Sequence, residues 1–454
     1  MPNSQLNIFN YLNKVDIKEK SFIEKVVFDN KLKAVSLFSS AGIGELGLRS
    51  VGIDLIAANE IIDYRAKIHD LNFDNCKMFK GDINEIKSSY IQFIKNELDK
   101  EELFLLYATP PCQGMSSNGM GRLKLEIDKG NRTIFDDRNK LIIPTIEIIK
   151  ELNPRWIIIE NVPKMKNTII NYKNESIKIS EFIERNLPKE YVGTPEIVSC
   201  EDYGVPQTRK RLISIYTKDQ NAIDFFYHNK ESFFHDDLKE RKVNLREAIG
   251  SLPKLDAVLN KNSKKDFHEY HYVPIMNEEK YFWISNTKEG STAYNNQCIN
   301  LQCQFTGNNG HKDILKDGKW KASKDIPINC LKCGEPLPRP TVVDKKTTKR
   351  RIIKGFHSAY RRMSWDKPAS AITQNFIYEA SDNKVHPDQN RVLSIYEAMI
   401  LQTLDKYDFK FNYEKENLST PRIAEILGES VPPYLIEKIV SLMISLTFFN
   451  KRKT

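Results

Sequence analysis

The chain has 454 residues, 40% of them hydrophobic and 28% charged, with a formal net charge of +9. It is long enough for two or three domains that each bury a core, and its composition is that of an ordinary soluble globular protein. The opening MPNSQLNIFNYLNKVDIKEK lacks the apolar stretch of a secretory leader, and the apolar tail 439–449 is too short to span a bilayer, so a cytoplasmic protein with no membrane partner is expected. Seven cysteines in such a chain argue against a disulfide framework and toward reactive or metal-binding thiols. The basic excess points only weakly to a polyanionic partner.

Residues 1–32 are read as a helical N-terminal extension. From 33 to 216, the apolar runs KAVSLF, IDLIAAN, LFLLYA, RWIIIEN and RLISIY alternate with amphipathic stretches. This predicts an α/β fold, a doubly wound and mostly parallel Rossmann-like sheet. The first run enters a small-residue turn with G-x-G-x-x-G at Gly42, Gly44 and Gly47, and the second stops at Glu60. A turn without side-chain bulk, followed by a strand-end carboxylate, suits the ribose of a dinucleotide and of S-adenosylmethionine alike; it also suits a tight turn with no ligand. Residues 217–365 lose the alternation and are rich in Asn, Lys, Asp and Gly, which predicts a smaller, loop-rich domain. It holds four cysteines and the basic cluster Lys345, Lys346, Lys349, Arg350, Arg351 and Lys354. Helical patterning resumes within 366–454 and ends in PPYLIEKIVSLMISL, expected to return to the first domain.

Ligands of open α/β sheets bind beyond the carboxyl ends of the strands, so the residues just past each apolar run matter. LFLLYA leads into TPPCQGMSSNG, which sets Cys112 behind two stiffening prolines and before a glycine-rich loop suited to movement. WIIIE leads into Glu160 and Asn161, and QTRKR brings Arg209 and Arg211 to one face at the entry to the next strand. Singly, a cysteine after a strand is usually packing, a strand-end glutamate usually solvated or capping, and alternating cations usually a charged edge. Together, a thiol, a carboxyl and two guanidiniums on one edge form a set for which hydride transfer has no use.

The stretches SLFSSAGIGELGL, PPCQG, IENVPKM, QTRKR, RRMSWDKPASAIT, HPDQNRVLSIYEAMILQT and GESVPP, in this order, resemble the DNA cytosine-5 methyltransferases of prokaryotic restriction-modification systems. The resemblance runs from Val35 to Met443, leaving out the middle domain. It implies methyl transfer from S-adenosylmethionine to carbon 5 of cytosine in a specific sequence of double-stranded DNA. Carbon 5 is too poor a nucleophile to attack a sulfonium directly. The resemblance therefore assigns Cys112 to add at carbon 6, Glu160 to ring nitrogen 3, Arg211 to the exocyclic oxygen and Arg209 to the same pocket. The base must flip out of the duplex, and Gln113, Ser116 and Asn161 are implied on the substrate side. Cofactor contacts are implied for Phe38, Ala41, Gly42, Glu60, Ile61, Asp82, Ile83, Pro111, Leu141, Ser430 and Val431, with Glu60 suiting the ribose hydroxyls and Asp82 the adenine amino group. The chain departs from the family at Ser40 and Ile43, where glycine is common, and at Glu429, where Asn is usual. A monomer acting beside a cognate restriction endonuclease is the implied setting.

In the middle domain, Cys298 and Cys303, then Cys330 and Cys333 in NCLKCGEP, form two close pairs of the kind that hold a structural tetrathiolate zinc. His311, between the pairs, is an alternative ligand. In the enzymes resembled, this segment reads the DNA sequence, so the cluster 345–354 is expected on phosphates. An RNA cytosine-5 methyltransferase and a non-catalytic DNA-binding relative are the competing readings. The large middle domain speaks against the first, and the intact Cys112, Glu160, Arg209 and Arg211 against the second.

Overall fold

A computed structural model describes residues 23, 26–27, 31–111, 137–311, 313–316, 319–322, 326–353, 358–412 and 418–448. The strands β1 (Lys33–Leu37), β2 (Asp54–Glu60), β3 (Lys77–Lys80), β4 (Leu105–Ala108), β5 (Trp156–Asn161), β6 (Val192–Ser199) and β7 (Lys210–Thr217) form one sheet, ordered β3-β2-β1-β4-β5-β7-β6. Strands β1 to β5 are parallel, whereas β7 runs antiparallel to both β5 and β6. The reversal pairs Asn161 with Leu212 and Glu160 with Ile213. Residues entering β7 therefore arrive at the edge where β5 ends.

Two of these strands, β3 and β6, are absent from the apolar runs of the sequence. KMFK is short and half lysine, and VGTPEIVS carries Gly, Pro and Glu. Both are edge strands, where proline and charge are tolerated and a long apolar run is not required.

The helices α1 (Leu46–Ser50), α2 (Asp63–Asn72), α3 (Ile83–Leu98), α4 (Ile142–Leu152), α5 (Ile179–Asn186) and α6 (Gln220–His228) cover the sheet together with α7 (Ile395–Leu401), α8 (Thr420–Glu429) and α9 (Pro433–Phe448). Alternate strand residues feed opposite faces, as a pleat requires. Ala34, Leu105, Tyr107, Trp156 and Ile158 pack with α1 and the C-terminal helices, while Val35, Leu37, Leu106, Ala108, Ile157 and Ile159 pack with α3, α4 and α5. The C-terminal helix lies so close to α1 that a Cβ at Gly47 would stand 2.4 Å from the Pro433 carbonyl oxygen. The apolar stretch Thr420–Phe448 is thus a pair of helices whose inner faces, from Ile423 to Leu446, fill the core of the sheet.

The compositional break at 217 does not coincide with a break in packing. Ala222, Phe225, Phe233, Leu245, Ile249 and Tyr270 still belong to the core of the sheet. A smaller core of its own gathers Trp283, Ile284, Ala293, Tyr294, Ile326, Ala359, Tyr360 and Val385.

Candidate active site

Phe38, Glu60, Asp82, Pro111 and Glu160 all lie at or just beyond the carboxyl ends of β1 to β5. The first turn is built around the carboxylate of Glu60. The backbone N–H of Ser40 donates to its Oε2 and that of Ile62 to its Oε1, each at 2.8 Å. Burial raises the pKa of Glu60, which these bonds and Arg65 oppose. Each carboxylate oxygen keeps a further lone pair, so the anchored group can still accept from a ligand. Gly42 lies in the left-handed region at φ +84°, where a Cβ would come within 2.5 Å of the Phe73 ring. Gly44 serves packing instead, since a Cβ there would meet the Tyr107 hydroxyl at 2.7 Å. Ala41 and Ile83 are buried, and Ile61 projects its side chain with 62% exposure. Asp82 caps α3, its Oδ1 accepting from the Asn84 N–H at 2.9 Å. The Asn59 amide ties β2 to this corner through the carbonyls of Phe79 and Gly81.

Beyond β4, Thr109 bonds the Phe38 carbonyl at 2.9 Å, which joins the proline segment to the first turn. Asn161, expected against the substrate, is engaged at both ends by the protein itself: Nδ2 donates to the Pro110 carbonyl at 2.8 Å and Oδ1 accepts from the Val162 N–H. It fixes the approach to Cys112. Cys112, Gln113 and Ser116 themselves lie outside the described residues.

Glu160 is buried and accepts from Arg211 Nε at 2.7 Å. Desolvation raises its pKa, with Arg211 and Arg209 pulling the other way. Arg209, expected to share the base pocket, does something else. It is fully buried, and its terminal nitrogens donate to the carbonyls of Ile372 at 2.6 Å, Gly428 at 3.0 Å and Ser430 at 2.7 Å. A planar fork reaching several carbonyls is a strut between β7 and the C-terminal segment. Gln207 and Gln402 complete it. Gln207 bonds the Gln402 side chain at 2.6 Å and accepts from the Ile372 N–H at 2.9 Å, and Gln402 bonds Ser430 Oγ at 2.8 Å. Ser430 and buried Val431 are held at this corner, and half-buried Leu141 opens α4.

Two of the departures from the family, Glu429 and Ile43, have local explanations. Glu429 shares Arg65 of α2 with Glu425, its Oε2 lying 2.8 Å from the guanidinium. Nothing in the sequence distinguishes Arg65 from other helical cations. Ile43 is buried in the core. Ser40 adopts φ +50°, and Phe38 φ +61°.

In the segment that carries the smaller core, the sulfurs of Cys298, Cys303, Cys330 and Cys333 all lie within 4.8 Å of one another. The Lys332 N–H points at Cys330 Sγ at 3.5 Å, and Asn308 Nδ2 approaches the same sulfur at 3.8 Å. His311 stands apart, packed against the Tyr294 ring. Lys345, Lys346 and Lys349 are exposed at the turn of a hairpin formed by Thr341–Val343 and Arg350–Ile352, where Arg351 pairs with Asp344 and Arg350 with Glu279. Lys354 is outside the described residues.

A parallel sheet closed by an antiparallel hairpin, with a glycine turn, an anchored carboxylate and a buried Glu–Arg pair at its strand ends, defines a Rossmann-like methyltransferase. The likenesses to known proteins narrow this class. The chain belongs to the C-5 cytosine-specific DNA methylase family, whose profile matches residues 32–445. It is 32% identical to the type II methyltransferase M1.HgaI of Avibacterium volantium, over 90% of this chain and 97% of that one. It is 25% identical to the type II methyltransferase M1.HphI of Haemophilus parahaemolyticus, over 94% and 91% respectively. Among solved structures, a putative DNA modification methyltransferase from an E. coli prophage superposes with a TM-score of 0.51 at 18% identity, covering 92% of this chain and all of its own. A Spodoptera frugiperda DNMT2 variant also reaches 0.51, at 13% identity, covering 91% and 99%. These two likenesses concern the fold. The protein is a DNA cytosine-5 methyltransferase.

Proposed function

We propose that the protein methylates a flipped-out cytosine through a covalent adduct at Cys112, with S-adenosylmethionine as methyl donor. The observation that carries this reading is the buried Glu160–Arg211 pair at the end of β5, beside a segment tethered by Asn161 at Pro110. The first turn fits the donor: Gly42 leaves no space for a side chain, and Glu60 is held rigidly by two N–H groups with acceptor capacity to spare. Phe38, Ala41, Gly42, Glu60, Ile61, Asp82, Ile83, Pro111, Leu141, Ser430 and Val431 would hold it. Bound there, it supplies an electrophilic methyl group.

The chain's own groups prepare the base. Cys112, as thiolate, forms a bond to carbon 6, and the electrons displaced from the ring's double bond settle toward nitrogen 3. Glu160, whose burial favours the protonated carboxyl, delivers a proton to nitrogen 3. Arg211 holds Glu160 through Nε and offers its remaining N–H groups to the exocyclic oxygen. Once carbon 5 carries the methyl group, loss of its proton to water forms the carbon 5–carbon 6 double bond and expels Cys112 as thiolate, and nitrogen 3 gives its proton back to Glu160.

The same reading covers the smaller core. Cys298, Cys303, Cys330 and Cys333 form a structural zinc site, since four thiols with N–H groups turned toward a sulfur match a tetrathiolate. The hairpin lysines contact phosphates of a target duplex, and a cognate endonuclease cleaves unmodified copies of the same site. The protein acts as a cytoplasmic monomer.

DNA bearing 5-fluorocytosine tests the chemistry, because fluorine cannot leave as a cation and elimination stops. Wild-type protein with S-adenosylmethionine should give a denaturation-resistant complex that Cys112→Ala abolishes. Methylation of RNA without trapping on DNA of varied sequence would redirect the substrate, and no trapping or methylation of either would leave a binding protein.

A further inference from the structure

Glu425 and Glu429 stand one turn apart near the end of α8, a helix whose final turn holds no cation of its own. Carboxylates at this spacing repel each other, and both lie toward the negative end of the helix dipole, so neither favours α8 by itself. What offsets this is Arg65, a buried cation in the first turn of α2. Its guanidinium bonds Glu425 Oε1 and lies 2.8 Å from Glu429 Oε2, while its Nε donates to the Tyr64 hydroxyl at 3.3 Å. Arg422 of α8 lies over the Tyr64 ring, 4.9 Å from its centre, a second tie between the same two helices. The helix ends joined here both lead to the first domain's ligand corner. α2 opens at Ile62, whose N–H holds Glu60 Oε1, and the Arg65 N–H closes that turn on the Ile62 carbonyl at 3.1 Å. α8 ends at Glu429, and Ser430 and Val431 follow directly. Arg209 fixes Ser430 from the side of β7, and Arg65 fixes the end of α8 from the side of α2.

We infer that Arg65, paired with Glu429, is a positioning residue for S-adenosylmethionine, setting the spacing between Glu60 and Ser430 across the cofactor corner. The inference rests on the proposed cofactor. Arg65 acts through the two helices it joins and not by contact with the donor. A purely structural ion pair would change the unfolding temperature and leave the affinity of the folded protein as it was.

Titration calorimetry of the full chain with S-adenosylhomocysteine, at a temperature where thermal unfolding shows every variant folded, reads affinity apart from stability and from methyl transfer. Arg65→Gln and, separately, Glu429→Asn should each weaken binding about three- to tenfold. Glu429→Asn brings in the residue usual in the family and keeps the test open should Arg65→Gln not fold. Arg65→Glu, which sets three carboxylates together, should weaken binding further. Combining it with Glu429→Arg should restore affinity to within about twofold of wild type, because the exchanged cation again lies between two carboxylates. Wild-type affinity in either single neutral variant, or no recovery in the exchanged pair, would overturn the inference. Failure of the wild-type protein to bind S-adenosylhomocysteine or S-adenosylmethionine would instead overturn the cofactor assignment itself, and this inference with it.

Discussion

Glu45, in the sequence GIGEL, lies beneath the first turn with 2% exposure, and its Oε1 accepts from Ser36 Oγ at 2.5 Å. Burial drives its pKa from 4.5 up to about 7, and the bonds from Ser36 and Ser39 offset only part of that. The native state therefore binds the Glu45 proton more tightly than the unfolded chain does. The corresponding stability is fully present below pH 4.5 and is lost progressively as pH rises to about 7. A rise from 4.5 to about 7 corresponds to about 3 kcal/mol. Glu45→Gln keeps the shape and the acceptor while removing the titration. Relative to wild type, the variant should gain little at pH 4.5 and on the order of 3 kcal/mol at pH 8, most of it between pH 5 and 7. Urea unfolding across pH 5–8, followed by tryptophan fluorescence, measures the difference; Trp156 in β5 reports on the same core. A Gln variant no more stable than wild type at pH 8, or a difference that does not change with pH, would refute the assignment of a neutral carboxyl to this site.

The two arginines of QTRKR should separate cleanly. Arg209→Lys cannot span the carbonyls of Ile372, Gly428 and Ser430, and should lower stability by about 2–4 kcal/mol in chemical denaturation. Arg211→Lys should unfold near the wild-type temperature while reducing methyl transfer by about 10²-fold, measured with a tritiated donor. For the thiol cluster, elemental analysis should find about one zinc per chain. Cys330→Ser should release the metal and lower the unfolding temperature of the smaller core, with cofactor binding retained.

The strand ends were legible because the central strands are buried on both faces and so read as unbroken apolar runs, each ending in the residue that matters: Glu60, Pro111, Glu160. The edge strands were not, since their solvent-facing side admits lysine, proline and glutamate. Spacing placed Arg209 and Arg211 on one edge. It did not reveal that one guanidinium would be surrounded by carbonyls, because those come from residues more than 160 positions further along the chain. Glu45 and Arg65 were invisible for a related reason. Their significance lies in what folds against them, and a lone glutamate or arginine in an amphipathic pattern carries no mark of it.

The strut also bears on where sequence change can occur. Arg209, Gln207 and Gln402 hold the C-terminal corner chiefly through backbone atoms of Ile372, Leu427, Gly428 and Ser430. Backbone acceptors do not depend on which side chain their residue carries, so the chemical constraint falls on the three polar side chains and not on Ile372 or Leu427. Gly428 is constrained for a different reason, since a Cβ there would stand 2.0 Å from the Gln374 nitrogen, where the PASAIT segment passes. The segments that meet at this corner are thus tied by side chains just before β7 and just after α7 to passing backbone.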